Sequence, residues 1–320
     1  MKRFLLALAT TLAFTGPVEA KYPERPIDII VPLPPGGPAD TVARVVGQKL
    51  QERLGQSVII DNRPGALGLI GAEIGAHSRP DGYTIVMVSS GLAIQAATQP
   101  KTIHFDVHKD LAPVTYAVKV PMVVATSPSQ PFKTMKEFVD YAKTKPGQLS
   151  VGVSPGLGGT AHLTLERMKL GVGLDVVAVP YKGSAPAIQA LLSGEVPAVI
   201  DTLAGMAGLI DDGKVRALAM LTETPAINHE KIPTIEQAGF PGYAADTWNG
   251  FMVPGGTPKE IVDLLHDQIV AILALPDVKE KVLSVGLEPA TNTPAEFERS
   301  FNAAIATWTK VAADAHLKFE

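Results

Sequence analysis

The sequence predicts a two-lobed α/β fold. Three observations carry the prediction. Short apolar strands and amphipathic helices alternate from Ile27 onward, glycine-rich turns sit where strands end, and 320 residues are enough for a sizeable core and two lobes.

The elements follow in order. Ile27 to Val31 is apolar except at Asp28, as in a buried parallel strand. Thr41 to Leu54 carries Val42, Val45, Val46, Leu50 and Leu54 at helical spacing. A strand at Val58 to Asp61, a helix near Ile70 to His77 and a strand at Thr84 to Ser89 complete a βαβαβ pattern, from which a parallel sheet follows. A second stretch opens with a strand at Met122 to Thr126. Thr134-Met-Lys-Glu137 is a capping box that starts a helix running to about Thr144. Strands at Leu149 to Val153, Val176 to Val179, Ala198 to Asp201 and Ala217 to Leu221 alternate with helices, and Thr234-Ile-Glu-Gln237 reads as another cap. The last stretch starts with a strand at Gly250 to Val253. Thr257-Pro-Lys-Glu260 and Thr293-Pro-Ala-Glu296 are capping boxes with proline at the first helical position. Phe297, Phe301, Ile305 and Trp308 then mark one apolar helix face.

Composition narrows the function. A net charge of −4 lacks the basic excess of a nucleic-acid binder. The 29 glycines and 27 prolines are spread along the chain, so they make turns and not a disordered tract. There is no cysteine, which rules out disulfides, thiolate catalysis, cysteine metal sites and a lipoprotein anchor. Lys2 and Arg3, the apolar stretch Phe4 to Phe14 and the small-residue site Val18-Glu19-Ala20 read as a secretory leader cut after Ala20. The apolar stretch is short of the roughly 18–20 residues needed to span a bilayer. The chain is therefore expected in the periplasm, with no direct membrane anchor.

In open α/β sheets ligands bind beyond the carboxyl ends of the strands. The segments there are Pro34-Pro35-Gly36-Gly37-Pro38-Ala39-Asp40, Ser89-Ser90-Gly91, Ser154-Pro-Gly-Leu-Gly158-Gly-Thr160, Tyr181-Lys-Gly-Ser184 and Asp201-Thr202. They combine glycine, which admits close backbone approach, with hydroxyls and helix N-termini, which suit an anion without adding charge. One such turn is unremarkable. Several together predict a cleft for a carboxylate.

Enzymatic motifs are weaker. Gly152-Val-Ser154-Pro-Gly156 matches the nucleophile elbow G-x-S-x-G. The residue after the serine should supply an oxyanion N–H, and Pro155 has none. Losing one such donor costs about 2.7–4 kcal/mol of transition-state stabilisation. Gly156-Leu-Gly158-Gly-Thr-Ala161 fits a loose dinucleotide fingerprint, but the acidic Asp175 begins its strand where it should end it. No phosphate-binding G-x-x-x-x-G-K-[ST] loop occurs. His104-Phe-Asp106-Val-His108 could put three metal ligands on one face of a strand, and a polar loop is the plainer reading. Neither a metal nor a cofactor is expected. His162 either lines the cleft or packs and caps behind it. Asp40 suits the first turn of its helix, with Arg44 an i, i+4 partner. Lys182 reads as a solvated lysine that follows a strand, and Asp201 as a selectivity residue or a turn cap.

A set of segments across the mature chain resembles the Bug-type solute-binding proteins. It includes Tyr22-Pro-x-x-Pro26, Val31-Pro-Leu-Pro-Pro-Gly-Gly37, Ala43-Arg44, Asn62-Arg-Pro-Gly65, Pro80-Asp-Gly-Tyr83, Asp110-Leu-Ala-Pro-Val114, Ser154-x-Gly156-x-Gly158, His162-Leu163, Val179-Pro-Tyr-Lys-Gly-Ser184, Trp248-x-Gly250 and Gly256-Thr-Pro258. These are the extracytoplasmic receptors of tripartite tricarboxylate transporters. The resemblance implies a type II periplasmic-binding fold, with two α/β lobes, a hinge and a cleft between them. It implies a discontinuous first lobe over 21–122 and 248–320 and a second over 123–247. It implies a monomer that binds a dicarboxylate, amino-acid or aromatic acid and serves membrane permease subunits. The ligand contacts it implies are Gly36, Gly37, Pro38, Ala39, Asp40, Ser89 and Ser90 in the first lobe. In the second they are Ser154, Gly158, Thr160, His162 and Asp201. The chain departs from the family pattern at Gly159, where serine or threonine is common. The other readings weighed are an α/β hydrolase using Ser154 and a ligand-sensing module for a signalling partner.

Overall fold

The structure, a computed structural model, describes residues 22–245 and 247–317, so the secretory leader expected from the sequence lies outside the described residues. Two sheets organise the chain. The first contains β1 (Ile27–Val31), β2 (Val58–Asn62), β3 (Thr84–Ser89), β4 (Leu111–Lys119), β10 (Trp248–Pro254) and the short β11 (Glu288–Pro289), in the order β11-β4-β10-β3-β1-β2. The second contains β5 (Met122–Thr126), β6 (Leu149–Val153), β7 (Val176–Pro180), β8 (Ala198–Thr202) and β9 (Arg216–Met220), in the order β7-β6-β8-β5-β9. Each sheet with its helices forms one α/β lobe.

The expected parallel pairing holds for β2-β1-β3, joined by α1 (Pro38–Leu54) and α2 (Leu69–Ala76). It does not extend to the whole sheet, because β10 returns from the second lobe and pairs antiparallel with β3 and β4. The strand β4 has no clear signature in the sequence. Its buried pattern is broken by register shifts against β10, and Pro113 interrupts it. Pro113 is tolerated because β11 pairs only with Val118 and Lys119, which leaves that part of β4 on an open edge.

Helix α1 starts one turn earlier than the apolar spacing alone indicates. Pro38 fits the first helical position, and the helix buries Val42, Val46 and Leu50 before Gly55 ends it in a left-handed conformation at φ 71°. Helix α4 (Met135–Lys143) begins as expected at Thr134, whose hydroxyl accepts from the Glu137 amide. The Glu137 carboxylate accepts from the Lys133 amide and so completes the turn one residue early. The box at Thr293 and Glu296 is reciprocal and opens α10 (Pro294–Asp314). Two other predicted caps resolve differently. The Thr257 hydroxyl donates to the Pro254 carbonyl at 2.7 Å, so α8 (Lys259–Leu273) opens without it. Thr234 and Gln237 exchange hydrogen bonds around a turn, and no helix follows.

Apolar clusters cover both faces of each sheet. One cluster crosses between lobes. Ile94 of α3 (Ser90–Thr98) and Trp308 and Val311 of α10 pack with Phe132, Phe138 and Leu163 of the second lobe. The chain passes between the sheets at Val120–Pro121 and again before β10. There the Val120 amide donates to the Thr247 carbonyl at 2.8 Å, and the Thr247 hydroxyl donates back to the Val120 carbonyl.

Candidate functional site

A cavity of about 1180 Å³ lies between the lobes and is lined by both. The turns at the carboxyl ends of β1 and β3 supply one wall, and those after β6, β7 and β8 supply the other. The first residues of five helices reach it: Pro38 of α1, Ser90 of α3, Thr160 of α5 (Thr160–Val172), Ser184 of α6 (Ser184–Ser193) and Leu203 of α7 (Leu203–Asp211). At α1, α5, α6 and α7 no side chain caps the N-terminus. The Leu203 amide donates to the Pro121 carbonyl at 2.7 Å, and the other uncapped starts bring N–H groups and partial positive charge to the cavity, where an anion is favoured. Among the described lining residues there is no lysine or arginine.

Of the residues expected to bind, Gly36, Gly37, Pro38, Ala39, Asp40, Ser89, Ser90, Ser154, Gly158 and Thr160 all line this cavity. His162 and Asp201 do not. Both are buried behind it and hold its wall in shape.

Asp40 organises the first loop. Its carboxylate accepts from the Gly36 amide at 2.9 Å, the Arg44 Nε at 2.8 Å and the Asn62 amide nitrogen at 2.9 Å. Burial by itself raises the Asp40 pKa, but the bonds from Arg44, Gly36 and Asn62 outweigh it and bring the group below its ordinary value. Gly36 adopts φ 84°, a conformation that glycine enters without strain, and this places its amide against Asp40. The side chain of Asp40 is thus committed to the loop, and Ala39 and Asp40 offer the cavity their backbone N–H groups.

His162 does the same for the loop after β6. Its Nδ1 accepts from the Gly158 amide at 3.1 Å, so the ring holds its proton on Nε2. Nε2 lies 3.7 Å from Glu166, which Lys169 also engages at 2.9 Å. Burial lowers the His162 pKa, Glu166 opposes this, and Lys169 adds to it.

Asp201 ends β8. Its Oδ1 accepts from the Ser184 hydroxyl at 2.9 Å and the Thr202 amide at 2.6 Å. Burial raises its pKa, and the Thr202 amide and the hydroxyls of Ser184, Ser154 and Thr202 act against that rise. Ser154, the serine of the elbow motif, stands beside the Asp201 carboxylate and is followed by Pro155, which has no N–H to offer an oxyanion. Lys182 is exposed and outside the cavity wall. His104, Asp106 and His108 lie in a loop, where Asp106 caps its own turn by accepting from the His108 amide at 2.9 Å.

Several lining residues were not singled out in the sequence. Thr247, Trp248 and Asn249 come from the return connection, and Trp248 stacks on Tyr116 with ring centroids 4.7 Å apart. Ala204 of α7 and the segment Leu283–Glu288, which runs from the end of α9 (Pro276–Ser284) into β11, close the far end. There the Ile227 amide donates to Glu288 at 2.7 Å. The only sequence signal for these was the pair Trp248-x-Gly250.

The comparisons with known proteins agree with this fold. The family described as "Tripartite tricarboxylate transporter family receptor" matches residues 42–316. Protein BugT of Bordetella pertussis is 35% identical over 326 residues, which cover 100% of this chain and 99% of BugT. Rpa4515 of R. palustris, solved with adipate, superposes with a TM-score of 0.81 at 36% identity, covering 93% of this chain and 99% of that one. MatC (Rpa3494) of Rhodopseudomonas palustris, with bound malate, gives a TM-score of 0.75 at 29% identity, covering 91% and 99%.

Proposed function

The chain belongs to the tripartite tricarboxylate transporter receptor family, whose members are periplasmic solute-binding receptors and not enzymes, and on that premise we propose that it captures a small carboxylate by closing its two lobes on it and presents it to membrane permease subunits. One observation carries the reading. Five helix N-termini and the hydroxyls of Ser89, Ser90, Ser154 and Thr160 line one cavity that contains no fixed cation. Such a wall binds an acid through N–H and O–H donors. The relatives solved with adipate and malate support the ligand class.

On this reading the acid sits against the backbone of Gly36, Gly37, Pro38, Ala39 and Asp40. Ser89 and Ser90 flank it, and Ser154, Gly158 and Thr160 face it from the second lobe. His162 and Asp201 act from behind the wall. The first lobe takes in 21–122 and 248–320 and the second 123–247. The chain works as a monomer, exported by its leader and cleaved after Ala20.

Trp248 provides the test, since it lines the cavity at the hinge. In a Trp308→Phe background, titration with carboxylates is expected to change its fluorescence saturably, and Ser154→Ala is expected to keep a signal. Hydrolytic turnover lost on Ser154→Ala would overturn the reading in favour of a hydrolase.

A further inference from the structure

The turn Ala66–Gly68, between β2 and α2, holds an apolar side chain in a conformation that such a residue seldom adopts. Ala66 and Leu67 have φ 45° and 53°, in the left-handed region, where a Cβ crowds the backbone and a bulky residue is rare. Neighbouring groups keep the turn there. The Gly68 amide donates to the Gly65 carbonyl at 2.9 Å. Gln95 of α3 is buried, and its side-chain nitrogen donates to the Leu67 carbonyl at 3.2 Å. On one side Gly68 abuts Pro32, at the head of the β1–α1 loop, where a Cβ on the glycine would lie 3.5 Å from the Pro32 Cβ. On the other, a Cβ on Gly91, in the first turn of α3, would lie 3.4 Å from the Leu67 carbonyl oxygen. Leu67 is thereby fixed between the two first-lobe segments that offer donors to the cavity, the loop 36–40 and the start of α3. It lines the cavity and is 39% exposed. Among the described residues, the core clusters do not include it. Strained backbone persists only where its surroundings enforce it, and such positions gather at ligand clamps.

We propose that Leu67 is a specificity-determining residue: its side chain packs on the body of the bound acid, next to the anchored carboxylate, and makes the cavity prefer acids with an apolar substituent there over their hydroxylated counterparts. The proposal rests on the capture function above and adds to it the class of ligand, acids with a branched aliphatic or aromatic body. An acid held by the donors of the loop 36–40 and of α3 has its adjoining carbons beside Leu67. Leu33, Pro34, Val120, Met122 and Trp248 extend the apolar wall. An apolar substituent at that place takes the leucine out of water, whereas a hydroxyl gives up its own hydration and finds no partner in the leucine side chain. Donors line both lobes, so the preference holds for monoacids and diacids alike.

The test is a set of acid pairs that differ by methyl against hydroxyl, titrated against the mature chain: methylsuccinate and malate, 3-methylglutarate and 3-hydroxyglutarate, 4-methylbenzoate and 4-hydroxybenzoate. In the pair that binds most tightly, the methyl acid is expected to bind at least about threefold more tightly than its hydroxy partner. A smaller ratio overturns the proposal and leaves carboxylate capture standing, and so does a chain that binds other carboxylates but none of these methyl acids. If no carboxylate binds, capture itself falls. Glycine enters the left-handed conformation without strain, so Leu67→Gly keeps the turn and removes only the side chain. In that variant the methyl acid is expected to weaken by about three- to tenfold and the hydroxy acid by less than about twofold, so the preference disappears. An unchanged ratio, or an equal loss for both acids, would remove Leu67 as its cause. The wild-type ratio is decisive on its own if the variant does not fold.

Discussion

Gly286 and Ala204 meet across the cleft so closely that a Cβ on the glycine would lie 2.5 Å from the Ala204 Cα. Gly286 joins α9 to β11 in the first lobe, and Ala204 opens α7 in the second. The glycine also holds φ 74°, which a side chain rarely adopts. Together with the Ile227–Glu288 bond, this contact brings the lobes together on the side of the cleft away from α10.

Gly286→Ala is therefore expected to wedge the lobes apart. Stability should fall by about 1–3 kcal/mol from strain and overpacking, and carboxylate affinity should fall with it. Small-angle scattering is expected to show a larger radius of gyration than wild type. An unchanged radius with full affinity would show that the contact plays no part in closure.

Asp40 should make the first loop sensitive to acid. Its folded pKa lies below the unfolded value of about 3.9. Its contribution is therefore present above that value and lost as the pH falls through the folded pKa. Urea unfolding at pH 7 is expected to show Asp40→Asn less stable than wild type by about 1.5–3 kcal/mol, the range for hydrogen bonds to a charged group. At pH 3 and below the gap should narrow. A gap that stays constant with pH would contradict the assignment.

Asp201 should behave in the opposite sense. Burial raises its folded pKa above the unfolded value. The stability linked to it is then full below the unfolded pKa and lost as pH rises through the folded one. Asp201→Asn is expected to melt at or above the wild-type temperature at pH 7 and to lose that advantage near pH 4. A large loss of stability at neutral pH would contradict this.

How much of this was legible in the sequence depended on distance along the chain. The turns after β1, β3 and β6 could be read, because a strand, a glycine-rich segment and a helix start lie within a few residues of one another. The parts built from distant segments could not. Gly286 shows its need for glycine only when Ala204 is beside it, and Asp201 shows its effect only when Ser154 and Ser184 converge on it. Local signals also misled. The Thr257 and Thr234 boxes satisfy the cap pattern, but one hydroxyl is taken by a strand end and the other closes a turn. Strand β4 stayed hidden because bulges and Pro113 break its alternation, and pairing with β10 alone fixes it.

His162 should link the second binding loop to pH. Its folded pKa lies below its ordinary value of about 6.5. The neutral ring accepts from Gly158, and that support is present above the ordinary value and lost as pH falls toward the folded pKa. The melting temperature of wild type is expected to drop between pH 7.5 and pH 5 by more than that of His162→Gln, which cannot take up a proton. Parallel profiles would remove the histidine as the cause. His162→Ala, which leaves the Gly158 amide without its acceptor, should cost about 1–3 kcal/mol at pH 7.5.

The claim on which the rest depends is that a carboxylate occupies the cavity between the lobes. Thermal unfolding of the mature chain against a panel of small carboxylates tests it most directly. A ligand at about a hundred times its dissociation constant stabilises the folded state by about 2.7 kcal/mol, a rise of roughly 5–10 °C in melting temperature for a chain of this size. The account predicts such a rise for at least one acid, and its abolition when Ser90→Glu sets a like charge at the cavity wall. A panel in which no acid moves the transition, or a rise that survives the added charge, would contradict it.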